Sequence, residues 1–587
     1  MPTIEKDVGH SLLGRIQHIG AQSLTPAVLF ALALCIYVYA IDWGLPNGND
    51  TWAADAIKPG APLALVHRAL VGEYFNSGWF WFKYPLGHPF VLAAVYSPVV
   101  AWLLVTGGLE NPSSAYPYGF ADPESVLTTF AILGRLVSAA MAAGCVAIAF
   151  AIVKRPFGRR AGLGAALVTA FCYPVVFYAH TTNVEVPSLF WMMLALLAST
   201  RLVAGPRGWR SWALLGFGAA MSVSTKELGA GFLVGIPCAV TAVFVARRRP
   251  ATELIRGGVI AAAAFLVTMV LANNILINPS GFVNRIRFLT GTLPVDRLVE
   301  YAPYSFPIDM SAGRSLGAEL AQLSRGGRLL LASLGGTSLV LAAVGVVVAF
   351  RRDPWYALLL AFPALSFYAF GVRAMLSLSL RYLLPIVMVA NLMAGLGLAW
   401  IWEGSGMIWV RRMVASVAVA YIVVYGWDVN RMLAHDGRYA AEEWLERNLE
   451  EGDTVEVYQR PTYLPRVPNT AVIQHIPLAQ RGIENFRRRA PAYVIVSSAA
   501  SAGITVEYRR QRRLEEFGSD EWLPNQISAT GQTLNYKHRG ATEFLDALVE
   551  GTLDYEEVGR YRATPCIDRH LIQSLNPEIT IYRRSGG

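Results

Sequence analysis

The segment KRPFGRRAGLGAALVTAFCYPVVFYAHTTNVEVPSLFWMMLALLASTR, from Lys154 to Arg201, contains two apolar runs between two basic clusters. The runs span residues 161–178 and 187–203, and the polar link from His180 to Val186 separates them. A helix needs about 20 apolar residues to cross the hydrocarbon core of a bilayer. Basic residues collect in short loops on the cytoplasmic side. The segment therefore predicts a pair of transmembrane helices that leaves the cytoplasm and returns to it.

The same pattern repeats along most of the chain. Of the 587 residues, 54% are hydrophobic and only 16% are charged, which is too apolar for a soluble protein of this length. Further pairs of apolar runs lie between basic clusters: residues 211–224 with 228–246, 257–277 with 328–350, and 355–372 with 382–402. The predicted fold class is a polytopic α-helical membrane protein.

Three apolar runs precede the basic cluster at Lys154, namely residues 26–42, 85–106 and 126–153. Three crossings would put that cluster outside the cytoplasm, so one of the three runs must not cross. We expect residues 85–106 to lie along the outer face, because three prolines interrupt the helical hydrogen bonds of this run. The prediction is about eleven crossings, with residues 1–25 in the cytoplasm.

The composition divides the chain into a membrane part and a polar part. A transmembrane domain is predicted for residues 26–427, with a long first external loop at residues 42–125. Residues 428–587 are predicted to form an extracytoplasmic α/β domain, because they are polar and long enough to bury their own core. Within the segment from Arg438 to Gln459, the apolar spacing predicts a helix that starts at Arg438 and ends at the turn EGD. Strands are predicted at Ala492–Ser498 and Glu578–Arg584.

This topology places most of the unusual charged residues on the outer face, at the mouths of helices. They are Asp50, Asp55, Glu73, Glu185, Lys226, Glu227, Arg373 and Arg381. Charged groups at such positions cost free energy to desolvate and are more often functional than decorative. We therefore expect these side chains to line one external cavity.

The motifs exclude some classes of chemistry and favour another. No Walker loop or dinucleotide fingerprint opens a helix, and no basic stripe interleaved with aromatic residues predicts a nucleic-acid partner. A transferase outside the cytoplasm needs a donor that arrives through the membrane, such as a sugar on a polyprenyl phosphate. Its reaction requires a carboxylate to accept the proton of a hydroxyl group and cations to stabilise the leaving phosphate. The predicted cavity offers both.

Several short motifs occur in the order that one family shows. They are WGLP (Trp43 to Pro46) before Asp50 and Asp55, KYP ending at Pro85, FYAHTTNVEVPSLFW from Phe177, STKELG from Ser224, INPSGF from Ile277 and RYLLP from Arg381. With these motifs, roughly residues 26–402 resemble the membrane glycosyltransferases of the GT-C fold. The resemblance is to the broad group of the protein O-mannosyltransferases and the lipid A aminoarabinose transferases.

The resemblance implies a catalytic base in the first external loop. Asp55 is favoured over Asp50, because its spacing before the GEYFN segment (Gly72 to Asn76) is similar to that of the family's acidic motif. The adjacent acidic pair that is usual in the family is absent here, which leaves the choice between the two open. Asp50 alternatively belongs to a turn within NGND, and Asp55 to charge pairing at a helix N-terminus.

The resemblance also implies roles for four other residues. Lys226 and Arg381 would bind the donor phosphate, and Glu185 and His180 would orient the acceptor. Each residue also has an alternative role. Lys226 could reach the lipid headgroups, and Arg381 could anchor its helix at the interface. Glu185 could belong to a solvated link between helices, and His180 could be a satisfied interfacial histidine.

The implied partners are a polyprenyl-phosphate sugar donor, membrane lipids and a glycan, lipid or protein acceptor. No cofactor is expected. His88 and His180 have no partners at metal-ligand spacing, so they are interpreted as satisfied interfacial histidines. The sequence does not exclude a divalent cation held by the carboxylates, but it is not favoured. The Ala, Gly and Arg-rich composition favours a prokaryotic plasma (inner) membrane. The alternative function is a transporter or flippase for a lipid-linked or small polar substrate, which commonly shows inverted repeats; no duplication of the chain is evident.

Overall fold

The computed structural model describes residues 24–46, 49–70, 85–205, 208–290, 292, 316–373, 378–476, 482–499, 539–567 and 572–585. The membrane part of these residues is a bundle of helices. They are α1 (Leu24–Val38), α2 (Ala61–Leu70), α3 (Gly87–Thr106), α4 (Pro123–Phe157), α5 (Arg159–Ala170), α6 (Tyr173–Ala179), α7 (Glu185–Val203), α8 (Trp209–Thr225), α9 (Gly229–Ala246), α10 (Ala251–Ala272), α11 (Pro279–Leu289), α12 (Leu316–Arg352), α13 (Pro354–Phe367), α14 (Leu384–Glu403) and α15 (Ile408–Ala434).

The number of helices that can cross a bilayer is close to the predicted number. Within the described residues, nine helices are long and apolar enough, and the number rises to ten if α5 and α6, which meet at a bend of 60°, form one broken span. α3 is among the nine, whereas α1 and α8 are shorter than the 18 residues that this count requires. The chain is thus a polytopic α-helical membrane protein, as the sequence predicts.

Small residues bring the central helices into close contact. A Cβ atom at Gly395 of α14 would lie 2.0 Å from the backbone nitrogen of Ala165 on α5. One at Gly345 of α12 would lie 1.8 Å from the carbonyl oxygen of Met393. Because lipid tails are as apolar as leucine, helices in a membrane associate through such close packing rather than through the hydrophobic effect. The glycines therefore position α14 between α5 and α12.

The basic clusters meet at one end of the bundle. Arg160 lies 3.4 Å from Glu403, and Arg247 lies 2.8 Å from Asp353. We call the opposite end, where α7 begins and α8 ends, the site end. α4 has 35 residues and is about 52 Å long, so it exceeds the hydrocarbon thickness of about 30 Å.

α3 begins at the site end, and the chain just after its last turn pairs with the chain just before α4, where the Ala121 N–H donates to the Gly108 carbonyl oxygen at 3.1 Å. Gly87 packs so tightly on Ser224, near the end of α8, that a Cβ there would lie 2.6 Å from the Ser224 carbonyl oxygen. In the middle of α3, Tyr96 stacks on Phe130 near the start of α4, with ring centroids 4.7 Å apart. These contacts favour a helix that lies beside the first turns of α4 without crossing the bilayer, and the number of crossings stays a prediction.

The polar part of the chain follows α15 and contains a five-stranded sheet. Its helices and strands are α16 (Gly437–Asn448), β1 (Thr454–Val457), β2 (Val472–His475), α17 (Ile483–Arg489), β3 (Tyr493–Ser497), α18 (Arg539–Val549), β4 (Tyr555–Tyr561) and β5 (Ile579–Arg584). The strand order is β2-β1-β3-β5-β4, with β1 parallel to β2 and β3, and β5 antiparallel to β3 and β4.

Helices cover both faces of this sheet, which makes it an α/β unit. Ala441 and Leu445 of α16 pack on one face, and Phe486 of α17 and Phe544 of α18 pack on the other. The strands predicted at Ala492–Ser498 and Glu578–Arg584 are confirmed as β3 and β5. The predicted helix from Arg438 is confirmed as well; it ends at Asn448, and β1, β2 and β4 are strands that the sequence analysis did not predict.

Candidate active site at the ends of three helices

Two charged residues meet where α7 begins and α8 ends. Glu185 is the first residue of α7, and Lys226 is the residue that follows α8. An anion at a helix N-terminus and a cation at a helix C-terminus are both favoured by the helix dipole. The Lys226 ammonium group donates a hydrogen bond of 3.0 Å to Glu185 Oε1. The two helix ends thus hold this ion pair in one orientation.

Arg381 connects this pair to the first loop. It lies in the 3₁₀ turn Leu380–Leu383 that leads into α14. Its Nη1 donates to Asp55 Oδ2 at 2.6 Å, and its Nε lies 3.9 Å from Glu185 Oε1. The charges therefore alternate along one continuous row, from the Asp55 carboxylate through Arg381 and Glu185 to Lys226.

Tyr382 lies beneath both cations, a position that the sequence analysis missed. The Lys226 ammonium lies 5.0 Å from the centre of the Tyr382 ring, and the Arg381 guanidinium carbon lies 4.9 Å from it. Arg381 Nη2 also donates to the Tyr382 hydroxyl at 3.0 Å. The face of an aromatic ring attracts cations within about 6 Å. Tyr382 directly follows Arg381 in the motif RYLLP, and this adjacency is the sequence signal that could have identified it.

Glu185 faces a small cavity with one oxygen atom free. Its side chain is only 1% exposed, and Oε2 has no hydrogen-bond partner among the described residues. The cavity is lined by Glu185, Lys226, Arg381 and Tyr382, together with apolar side chains that include Met192. A buried acceptor without a donor costs about 1–3 kcal/mol. The arrangement therefore suits a ligand hydroxyl group that donates to this oxygen.

The backbone around Asp55 is held from one side by the link between α6 and α7. Asn183 Nδ2 donates to the Ala54 carbonyl oxygen at 3.0 Å, and the Thr182 hydroxyl donates to the Ile57 carbonyl oxygen at 2.7 Å. Asp55 itself has φ +61°, which is rare for a residue with a Cβ. Such a conformation persists where the surroundings fix it.

In the polar domain, Tyr463 follows β1 in a 3₁₀ turn, and its phenol is subject to the charges of the site. Burial raises the pKa of the Tyr463 phenol, and the charge of Asp55 acts in the same direction, whereas that of Arg381 opposes it. Tyr463 is therefore near enough to both site residues for their charges to act on it. No motif in the sequence pointed to this residue.

The other charged residues of the predicted cavity have partners elsewhere. Asp50 lies 2.9 Å from Lys58, with both side chains well exposed. Glu227 pairs with Arg285 of α11, and Arg373 lies 2.9 Å from Glu319. Glu73 lies outside the described residues. The structure thus brings together Asp55, Glu185, Lys226 and Arg381 from the predicted set.

His180 is fully buried beside the backbone. Its Nδ1 lies 2.7 Å from the Val176 carbonyl oxygen, and its Nε2 lies 2.8 Å from the Tyr39 carbonyl oxygen. The ring therefore ties the segment after α1 to α6. Its predicted role in orienting the acceptor stays a prediction.

Metal binding would need a different set of side chains from those that meet here. No group of three or more His, Cys, Asp or Glu residues in the described part of the chain is arranged to hold a metal ion. Asp55 and Glu185 both face the cation Arg381, at 2.6 and 3.9 Å. This donor set fits a metal ion poorly.

Residues 128–272 match the model of the dolichyl-phosphate-mannose-protein mannosyltransferase family. The matched stretch contains two of the four site residues, Glu185 and Lys226. No curated protein sequence matches the chain significantly. The family match confirms, for these residues, the resemblance that the motifs indicated, and it supports sugar transfer as the general activity.

Several solved structures are distantly similar. ArnT from Cupriavidus metallidurans in the apo state has 13% identity and a TM-score of 0.44, covering 96% of this chain and 98% of that one. The oligosaccharyltransferase AglB from Archaeoglobus fulgidus, in complex with an inhibitory peptide and a dolichol-phosphate, has 10% identity and 0.43, covering 96% and 89%. The S. cerevisiae protein O-mannosyltransferase Pmt1-Pmt2 complex, bound to the sugar donor, has 15% identity and 0.31, covering 46% and 36%.

Proposed function

We propose that the protein transfers a sugar from a polyprenyl-phosphate-linked donor to a hydroxyl acceptor, which is a glycan, a lipid or a protein. The observation that carries the proposal is the row of alternating charges from Asp55 to Lys226, at helix ends and beside a cavity. Such a row supplies in one place the two groups that the reaction needs, a carboxylate for the proton and cations for the phosphate.

In the proposed reaction, Asp55 is the general base. Its carboxylate accepts the proton of the acceptor hydroxyl while the hydroxyl oxygen forms a bond to the anomeric carbon of the sugar. The bond between that carbon and the phosphate oxygen breaks, and the polyprenyl phosphate leaves with the electron pair. Lys226 and Arg381 stabilise the charge that develops on the leaving oxygen, which is where preorganised cations contribute most to the rate.

Arg381 would change partners when the donor binds. It is hydrogen-bonded to Asp55 at 2.6 Å, and a carboxylate held by a guanidinium accepts a proton less readily. A donor phosphate competes for the same guanidinium and offers two oxygen atoms to which the planar guanidinium can donate a pair of hydrogen bonds. Binding of the donor would thus release the Asp55 carboxylate for catalysis.

We place this reaction on the outer face of the plasma (inner) membrane, with the polar domain outside as well. The support is that Arg160 and Arg247 lie at the end of the bundle opposite to the site, and that short basic loops face the cytoplasm. We also propose that no divalent cation takes part, since both carboxylates of the row already face cations.

The test is transfer by the full-length protein, purified in detergent, from a synthetic polyprenyl-phosphate sugar to acceptors extracted from the cell envelope. Mass spectrometry of lipid-linked sugars and glycans, with and without the protein in cells, would identify the sugar. Unchanged pools together with accumulation of a polar solute on one side of proteoliposomes would favour the transporter alternative. Loss of one glycan and accumulation of its lipid-linked donor is the result that we expect.

A further inference from the structure

The polar domain grips the first loop through two tryptophans. We call the contact of Trp43 and Trp52 with Asp436, Arg438 and Arg466 the domain clamp. Neither tryptophan side chain is exposed, and neither is that of Arg438. The Arg438 guanidinium carbon lies 3.9 Å from the centre of the Trp52 ring, and Arg466 lies on the same ring at 5.5 Å.

The hydrogen bonds of Arg438 fix its plane. Its Nε donates to Asp436 Oδ1 at 2.9 Å and its Nη2 to Asp436 Oδ2 at 2.7 Å, so the pair is bidentate. Nη1 donates to the Thr462 carbonyl oxygen at 2.7 Å, and Nη2 also donates to that of Ser574 at 2.8 Å. These acceptors belong to three separate segments of the polar domain. The guanidinium can therefore occupy one orientation, and Trp52 must lie against that surface.

Further contacts tie the start of the same loop to the polar domain. Trp43 Nε1 donates to Asp436 Oδ2 at 3.0 Å, and the Gly44 N–H donates to the Tyr439 hydroxyl at 2.8 Å. Arg466 Nη1 donates to the Pro46 carbonyl oxygen at 2.9 Å. The loop is thus attached to the domain at several points before it reaches Asp55.

Trp52 precedes Asp55 by only three residues. From the other side, Asn183 and Thr182 hold the carbonyl groups of Ala54 and Ile57. The short segment between these attachments has little freedom, which suits the φ of +61° at Asp55. Burying a charged arginine against an aromatic ring costs more free energy than burying an apolar side chain. The planar guanidinium and its fixed donor directions, however, define one geometry for the contact.

We propose that Arg438 is a positioning residue for sugar transfer, and that the polar domain acts through Trp52 to hold the backbone of Asp55 in place at the cavity. The proposal rests on the function proposed above, in which Asp55 is the base. Arg438 touches neither the donor nor the acceptor in this scheme. Displacement of a catalytic group by about 1 Å is enough to lower a reaction rate about 100-fold.

The test uses Arg438→Lys in the full-length protein, which keeps the charge but removes the planar stacking and the bidentate fork. The matched control is Arg489→Lys, because Arg489 also pairs with a carboxylate of the polar domain, Glu456, at 3.1 Å, and lies on α17 away from the clamp. We expect kcat to fall at least about tenfold in Arg438→Lys, with the Kd of the donor changed less than about threefold. Arg489→Lys should keep its rate.

Hydrogen exchange supplies a measurement that does not depend on activity. Peptides that cover residues 49–58 should exchange faster in Arg438→Lys than in the wild type and in Arg489→Lys. Trp52→Leu should also lower kcat and speed the exchange of residues 49–58. The variant with both Arg438→Lys and Trp52→Leu should have the same kcat as Trp52→Leu alone, because the two substitutions break the same contact. Trp52→Leu also serves if Arg438→Lys does not fold.

Each outcome either supports or overturns the positioning role of Arg438. Wild-type turnover in Arg438→Lys, or faster exchange of residues 49–58 without loss of turnover, overturns the positioning role. Equal losses in Arg489→Lys would mean that the stability of the domain is what matters, which also overturns it. If the wild-type protein transfers no sugar, the proposed function fails, and the exchange data still report whether Arg438 holds the loop.

Discussion

The carboxylate of Asp55 lies 2.6 Å from the guanidinium of Arg381, although 326 positions separate the two residues in the chain. One residue belongs to the loop after α1 and the other to the turn before α14. A contact of this kind between distant segments distinguishes Asp55 from Asp50, whose partner Lys58 is only eight residues away and whose side chain is well exposed.

The first prediction concerns the base. Asp55→Asn keeps the shape of the side chain but removes the proton acceptor, and we expect transfer to fall by about 100- to 10,000-fold. Asp50→Asn is the control and should keep transfer within about fivefold, because an exposed ion pair contributes at most about 1 kcal/mol. The measurement is initial rate at saturating donor. A larger loss in Asp50→Asn than in Asp55→Asn would move the base to Asp50.

The second prediction concerns the phosphate. Arg381→Ala removes a cation that acts on the bound donor and on the leaving group, so both the Kd of the donor and kcat should deteriorate, by about 10- to 100-fold in kcat/KM. Arg373→Ala is matched to it, because Arg373 precedes α14 too but pairs with Glu319 at an exposed position. Equal effects of the two substitutions would contradict a phosphate role that is specific to Arg381.

The sequence predicts the class of fold because the length and polarity of a transmembrane run are local properties. It also predicts the strand β3, whose apolar run is continuous, and the strand β5, which is rich in β-branched and aromatic residues, but not β1, β2 or β4. β2 is largely exposed, and its apolar pattern is weak for a strand at the edge of a sheet.

The candidate site could be predicted only in part. Asp55, Glu185, Lys226 and Arg381 stand in short motifs at the mouths of helices, and these are features that one sequence displays. Arg438 and Tyr463 are invisible to such reasoning, because their positions depend on how a distant domain docks on the first loop. Nothing local to the sequence of either residue reports that contact.

The third prediction concerns topology. In a background without the five native cysteines, Ser113→Cys should react with a membrane-impermeant maleimide added outside, and Gly208→Cys should not. Ser113 lies in the loop between α3 and α4, and Gly208 lies at the start of α8, at the end of the bundle opposite to the site. If Gly208→Cys reacts and Ser113→Cys does not, the orientation of the protein is opposite to the one predicted. A third test position, Ser311, lies outside the described residues.

The fourth prediction concerns metal ions. Transfer should survive treatment with excess EDTA and removal of the chelated ions, because Lys226 and Arg381 already supply the positive charge at the phosphate. Initial rates before and after chelation measure this. Loss of more than about tenfold, restored by Mg²⁺ or Mn²⁺, would show that a metal ion does what we assign to these side chains.

The last prediction separates the roles of Glu185 and Lys226 by substrate. Oε1 of Glu185 accepts a hydrogen bond from Lys226, Oε2 has no hydrogen-bond partner among the described residues, and the residue lines the cavity. If that oxygen accepts a hydrogen bond from the acceptor, Glu185→Gln weakens a charge-assisted bond to a neutral one and should raise the KM of the acceptor about tenfold.

The same substitution leaves Lys226 without its counter-charge, so the donor phosphate meets less competition. The KM of the donor should therefore stay the same or fall in Glu185→Gln, whereas Lys226→Met should raise it about tenfold and leave that of the acceptor unchanged. Steady-state kinetics with each substrate varied in turn provide both constants. A parallel rise of both KM values in Glu185→Gln would mean that Glu185 serves mainly to hold the cations in place. Opposite responses of the two variants would assign the two ends of the ion pair to the two substrates.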